Sequence, residues 1–205
     1  MFIKICGITN LEDAKNAALF GADAIGFVFA KSPRQISPEK AKEIIGRVEK
    51  NVMKVGVFVD EGLKKLEETS LFSGLNAIQL HGNENPDYCS KIKRGKVIKA
   101  FRVKDRAVLP SMNGYDTVFA YLLDTFSGEG YGGTGKSFDW RIAVKAKALG
   151  KPVILSGGIG LGNVVDAIRA VRPYGVDISS SIEVKPGKKD PVLMRRLIES
   201  IKALD

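Results

Sequence analysis

The sequence predicts an α/β fold in which eight βα units close into a single (β/α)8 TIM barrel over residues 1–205. Three observations lead there. Short β-branched or aromatic runs alternate with longer amphipathic, charged segments along the whole chain. The short runs read as strands buried on both faces, and helical spacers between such strands imply parallel pairing through βαβ crossovers. Eight units in 205 residues suit a compact closed barrel better than an open doubly wound sheet, although such barrels commonly take roughly 250 residues.

The strand runs fall at 2–6, 24–29, 54–59, 77–80, 97–101, 117–124, 153–156 and 176–179. Helical patterns lie near 10–20, 38–48, 61–72, 85–93, 105–111, 139–148, 161–171 and 190–203. Ser37 followed by Pro38 reads as an N-cap with proline at the first helical position. Thr9 and Glu12 have the spacing of a capping box, and Asp139 is placed to cap the segment from Trp140 onward. Gly21 and Gly150 stand where helices should stop. No linker or low-complexity stretch interrupts the alternation, so one domain is the simplest organisation.

Composition narrows the function classes. Hydrophobic residues at 44% and charged residues at 27% are ordinary for a globular chain. The longest apolar stretches, such as 24–30, are strand-sized and far short of a membrane span. The start, Met1-Phe-Ile-Lys-Ile-Cys-Gly, has no basic region followed by a long apolar run, so no signal peptide is read and the expected location is cytoplasmic. Cys6 and Cys89 make no disulfide framework, and no Cys/His cluster has zinc-like spacing. The net charge of +9 raises the question of nucleic acid, but the basic residues are spread among acids, as in Glu39-Lys-Ala-Lys-Glu. Solvated helix faces with a general attraction for anions are the simpler reading, with no nucleic-acid and no membrane partner.

A barrel of this kind carries its active site at the C-terminal ends of its strands. That selects Cys6, Arg34, Asp60, His81, Asp124, Ser156-Gly157-Gly158 and Ser179-Ser180-Ser181. The loops after strands 7 and 8 commonly bind phosphate through backbone N–H groups. Gly157 and Gly158 let the backbone approach an anion, and Ser180 and Ser181 add hydroxyl donors. A tight βα turn would explain the glycines alone; both loops at the expected positions favour a small phosphorylated ligand.

Cys6, taken alone, reads first as a small buried hydrophobe. It becomes a useful base only where cationic or dipolar neighbours stabilise its thiolate. Asp124 closes the apolar run Ala120-Tyr-Leu-Leu, an expensive place for a carboxylate with no task. A capping or salt-bridging aspartate and a general acid, whose protonated form burial favours, are equally open there. Arg34 sits on the proline-stiffened stretch Ser32-Pro-Arg and points either to solvent or, bidentately, at a carboxylate. His81, the single histidine, shows no partner in the sequence and is given a lining role without catalysis. Whether Asp177 faces inward depends on the parity of strand 8, which the sequence leaves open.

Gly130-Tyr-Gly-Gly-Thr-Gly-Lys136-Ser137 matches the Walker A pattern letter for letter. Its context argues against a nucleotide loop. Residues 125–129 separate it from the preceding strand, the next helix starts only near Asp139, and five βα units come before it. The stretch 126–138 instead reads as a glycine-hinged active-site loop with Lys136 facing an anion.

These segments together resemble the phosphoribosylanthranilate isomerase family of tryptophan biosynthesis. The resemblance is carried by Lys4-Ile-Cys-Gly-Ile-Thr, Ala24-Ile-Gly-Phe-Val-Phe, Ser32-Pro-Arg, Val55-Gly-Val-Phe-Val, Gln79-Leu-His-Gly and Leu122-Leu-Asp-Thr. It continues through the glycine loop ending in Phe138-Asp-Trp, Leu155-Ser-Gly-Gly and Pro186-Gly-Lys-Lys-Asp, in the family's order over nearly the whole chain. The resemblance places the Walker-like loop after strand 6, where family members carry it. It implies an Amadori rearrangement of N-(5′-phosphoribosyl)anthranilate without metal or organic cofactor; monomer and homodimer share these core patterns, and the sequence leaves both open. Asp124 would protonate the ribose ring oxygen, and Cys6 would take the proton from C2′ of the resulting Schiff base. Arg34 would bind the anthranilate carboxylate, with Gly157, Gly158, Ser180 and Ser181 on the phosphate.

Two departures stand out. The family's Ser-Ser-Gly-Val-Glu after strand 8 is Ser179-Ser-Ser-Ile-Glu here, and Ile159-Gly-Leu-Gly-Asn replaces a frequent proline-containing turn after strand 7. If the missing glycine takes positive φ, Ser181 carries strain on the order of 1 kcal/mol.

Overall fold

The computed structural model describes residues 1–125 and 138–204. The glycine-rich stretch 130–137, with Lys136, lies outside the described residues. Eight parallel strands form a closed barrel in sequence order: β1 (Phe2–Cys6), β2 (Ala24–Val28), β3 (Met53–Phe58), β4 (Ala77–Leu80), β5 (Lys96–Val103), β6 (Ala120–Thr125), β7 (Val153–Leu155) and β8 (Gly175–Ile178). The ring closes where β8 pairs with β1, Asp177 standing opposite Lys4. Between the strands run α1 (Leu11–Phe20), α2 (Pro38–Ile45), α3 (Leu63–Ser73), α4 (Pro86–Lys91), α5 (Val108–Ser111), α6 (Arg141–Lys147) and α7 (Val164–Val171). After β8 come a 3₁₀ turn (Ser180–Ile182), a two-stranded antiparallel ribbon of β9 (Glu183–Lys185) and β10 (Lys188–Lys189), and α8 (Pro191–Lys202).

Strand alternation sorts the core into two bodies. Side chains of one parity, including Ala24, Val55, Ala77, Ile98, Leu122 and Ile154, pack inside the barrel. Those of the other parity, including Ile5, Phe27, Leu80, Leu123 and Ile178, join the helices in the larger outer core. On α8, Met194, Leu197, Ile198 and Ile201 are fully buried at helical spacing, each contributing roughly 1.5–3 kcal/mol. Phe2, Lys4 and Cys6 share the inward parity of β1, so the interior turns from apolar to polar toward the C-terminal mouth.

Several helix starts follow local chemistry. Ser37 accepts the Lys40 N–H with Pro38 in the first turn, and Asp190 caps α8 ahead of Pro191 in the same way. The Asp139 carboxylate accepts the Arg141 N–H at the head of α6. The expected Thr9–Glu12 capping box does not form. Asn10 caps α1 by accepting from Asp13, because the Thr9 hydroxyl donates to the Gly187 carbonyl and Glu12 takes the Lys188 ammonium. Both residues are drawn away to hold the β9–β10 ribbon. Among the described residues no helix is long and apolar enough to cross a membrane.

Candidate active site

The mouth of the barrel holds a pocket with about 820 Å³ of empty space, part of it open to solvent. Cys6, Gln79, His81, Asp124, Ser156 and Asp177 line it from five strand ends, along with Arg34, Gly157, Gly158 and Ser180. Ser181 is not among its lining residues.

Cys6 ends β1 and is buried, its thiol facing the pocket. Burial pushes that thiol above its ordinary value; the Lys4 ammonium pulls against the rise, and Asp177 adds to it. Lys4 lies inside the barrel one inward position below Cys6 and is ion-paired to Asp177 at 2.8 Å. Asp177 therefore faces inward, which settles the parity of β8. Ser156 completes this row with a 3.4 Å hydrogen bond to the second Asp177 oxygen.

Asp124 enters the pocket from β6 and is 5% exposed. His81 has a partner after all, since its Nε2 lies 3.2 Å from Asp124 Oδ2. The Gln79 amide donates to His81 Nδ1 at 2.9 Å, so the ring proton sits on Nε2 and is donated to Asp124. Gln79 Oε1 is buried with no hydrogen-bond partner among the described residues, and Gln79 lines the pocket. A buried acceptor without a donor is costly unless a ligand supplies one.

Gly157 gives Asp124 its room. It has φ +73°, and a Cβ there would stand 2.6 Å from Asp124 Oδ1 and 2.2 Å from the Thr125 amide nitrogen. Gly157→Ala is therefore expected to cost at least about 1–2 kcal/mol in backbone strain alone and to displace the carboxyl. A urea melt checks the first effect and a turnover assay the second; an alanine variant of native stability and rate would refute both.

Arg34 reaches across to the ribbon. Its Nε and Nη2 form a fork on Glu183, with contacts of 2.6–3.1 Å, and Nη1 makes no hydrogen bond to that carboxylate. Lys189, fully buried, donates to the same carboxylate at 2.8 Å and to the backbone carbonyls of Cys6 and Ser179. Burial would raise the Glu183 carboxyl, but the Arg34 and Lys189 cations overcome it and hold it below the usual range. Burial lowers Lys189 against the opposing pull of Glu183. Breaking such a buried pair by removing one partner costs about 3–5 kcal/mol. Lys189→Met should lower the midpoint of chemical denaturation accordingly and weaken any ligand held by Arg34; an unchanged midpoint would show the pair to be dispensable.

The two loops expected to meet phosphate are joined. The Ser181 hydroxyl donates to the Ile159 carbonyl at 2.6 Å, so its proton is used between the loops. The strain considered for Ser181 does not arise, since Asp60 and Arg172 are the non-glycine residues with positive φ among those described. Gly157 and Gly158 have φ of +73° and +70°, and neither amide donates to a backbone acceptor among the described residues. Ser180 and Ser181 open the 3₁₀ turn, where the first N–H groups have no acceptor within the turn.

Lys4, Gln79, Glu183 and Lys189 were missed as site residues in the sequence. For Lys4 a signal existed, because it stands two positions before Cys6 and shares its face. Glu183 and Lys189 lie far from Arg34 and Cys6 in sequence and carry no comparable mark.

The fold and its polar mouth define a (β/α)8-barrel enzyme. The family model described as N-(5′-phosphoribosyl)anthranilate (PRA) isomerase matches residues 3–200. An N-(5′-phosphoribosyl)anthranilate isomerase from Geotalea uraniireducens is 50% identical over 203 residues, covering 98% of this chain and 98% of its own. The crystal structure of phosphoribosyl anthranilate isomerase from Thermotoga maritima superposes with a TM-score of 0.93 at 44% identity, covering 99% of each chain. A structure of such an isomerase in complex with reduced 1-(o-carboxyphenylamino)-1-deoxyribulose 5-phosphate gives 0.90 at 41% identity, again over 99% of each chain. The chain belongs to the N-(5′-phosphoribosyl)anthranilate isomerase family.

Proposed function

We infer that this chain isomerises N-(5′-phosphoribosyl)anthranilate to 1-(2-carboxyphenylamino)-1-deoxyribulose 5-phosphate in tryptophan biosynthesis, by an Amadori rearrangement. The observation that carries the mechanism is that a thiol and a carboxyl from non-adjacent strands, Cys6 and Asp124, line one pocket at the barrel mouth. Asp124 gives a proton to the ribose ring oxygen, and the ring opens to a protonated Schiff base. The iminium acidifies the C2′–H and its positive charge favours a thiolate nearby. Cys6 takes that proton, and the resulting enolamine tautomerises to the aminoketose. The ring protonation and the C2′ proton abstraction are both carried by side chains, so the reading calls for no metal or organic cofactor.

Arg34 takes the anthranilate carboxylate on the edge of its guanidinium not used by Glu183. The phosphate sits on Gly157, Gly158, Ser180 and Ser181, met mostly by backbone N–H groups because the Ser181 proton is engaged. Gln79 Oε1 accepts from a sugar hydroxyl. The whole chain acts as one catalytic domain in the cytoplasm, as a monomer or homodimer, on a small phosphorylated substrate rather than on nucleic acid or a membrane. The test is an isomerase assay in which the substrate is made in situ from anthranilate and phosphoribosyl pyrophosphate. Its fluorescence should decay rapidly with the folded chain; decay at the uncatalysed rate would sink the reading.

A further inference from the structure

Lys4 is 0% exposed and is not among the pocket-lining residues. A buried ion pair is often no more stable than well-packed apolar side chains of similar size, so stability alone does not account for an ammonium in the middle of the barrel. Asp177 accepts one of its protons at 2.8 Å, whereas an ammonium has three to give. Gly26, the register partner of Cys6 on β2, locates the ammonium relative to the sulfur. A Cβ at Gly26 would stand 2.8 Å from Cys6 Sγ and 3.1 Å from Lys4 Nζ, so both groups border the gap that the missing side chain leaves.

We propose that Lys4 is the positioning residue that makes Cys6 a base, its ammonium held by Asp177 and brought to the sulfur through the gap at Gly26. The proposal rests on Cys6 being the base of the isomerisation. In the step itself the thiolate takes the C2′ proton and becomes a thiol, the C–H electron pair passes into the enolamine, and Lys4 keeps all three of its protons. Its charge alone is used, stabilising the thiolate before the transfer.

The other charged groups around Cys6 do not replace it. Asp177 from β8 opposes the thiolate, and Asp124 lines the far side of the pocket. Lys189 from β10 directs its ammonium at the Cys6 carbonyl and shares Glu183 with Arg34 from the loop after β2. Among the charges acting on the thiol, Lys4 pulls down more strongly than Asp177 pushes up or Lys189 helps.

The chain has two cysteines, so a Cys89→Ala background leaves Cys6 as its single thiol. Two readouts are taken against pH in that background: thiolate absorbance in the ultraviolet, and kcat/KM for isomerisation. Lys4→Met should move the thiol titration up by about one pH unit or more. The pH dependence of kcat/KM should follow it, with little change in KM because Lys4 does not line the pocket. Lys4→Met leaves Asp177 buried without its partner; if that variant does not fold, Lys4→Met/Asp177→Asn is read instead, with a smaller upward shift. Gly26→Ala alters no charge but presses a methyl against both the sulfur and the ammonium, and should shift both readouts in the same direction. An unmoved thiol titration in the folded Lys4 variant and in Gly26→Ala would overturn the proposal. A shifted titration with an unmoved kcat/KM profile would keep the Lys4–Cys6 coupling and overturn the assignment of Cys6 as base.

Discussion

Replacing Cys6 by serine is expected to lower kcat by about a hundredfold or more while leaving KM near its native value. The hydroxyl fills nearly the same space at the end of β1, so the barrel and the Lys189 bond to the Cys6 carbonyl should survive. What is lost is an ionisable group, because a serine hydroxyl is far too weak an acid to form an alkoxide in this setting. The pH dependence separates this from a packing effect. Burial sets the Cys6 thiol above the ordinary value of about 8.5, so thiolate accumulates as pH rises through the alkaline range. Native kcat/KM should climb through that range and the serine variant should not. Retention of the climb would remove Cys6 from the proton transfer.

Asp124→Asn should produce a loss of similar size, also in kcat. The amide keeps the shape and can keep the hydrogen bond from His81 through its oxygen, yet it has no acidic proton for the ring oxygen. Gly157 leaves room for the amide nitrogen where Oδ1 now stands, so the variant should fold with a denaturation midpoint close to native. A folded Asp124→Asn enzyme within tenfold of the native rate would exclude Asp124 as the acid.

The alternation of runs in the chain was sufficient to read the architecture, and it failed where distant residues compete for local chemistry. Strand runs at 2–6 and 77–80 coincide with β1 and β4 because their apolar residues are bounded by turn-forming neighbours. The sixth run begins at Ala120 rather than 117, since Val118 donates to Tyr115 in a turn before pairing starts. The seventh helix starts at Val164 rather than 161, because the Asn163 side chain closes a turn onto Gly158 and Gly160. In the site, the positions at strand ends were legible from topology, and so were Cys6, Arg34 and Asp124. Their partners were not. His81 meets Asp124 across 43 residues and Arg34 meets Glu183 across 149, and no local pattern encodes such meetings. They exist only once the ring of strands brings its ends together.

That closure has a temporal consequence. Cys6 belongs to the first strand, but Asp177, Glu183 and Lys189, which surround it, come after β7. During synthesis the ribosome delivers the sulfur long before the groups that enclose it, so the full set of charges around Cys6 exists only once β10 has been made and has reached β1.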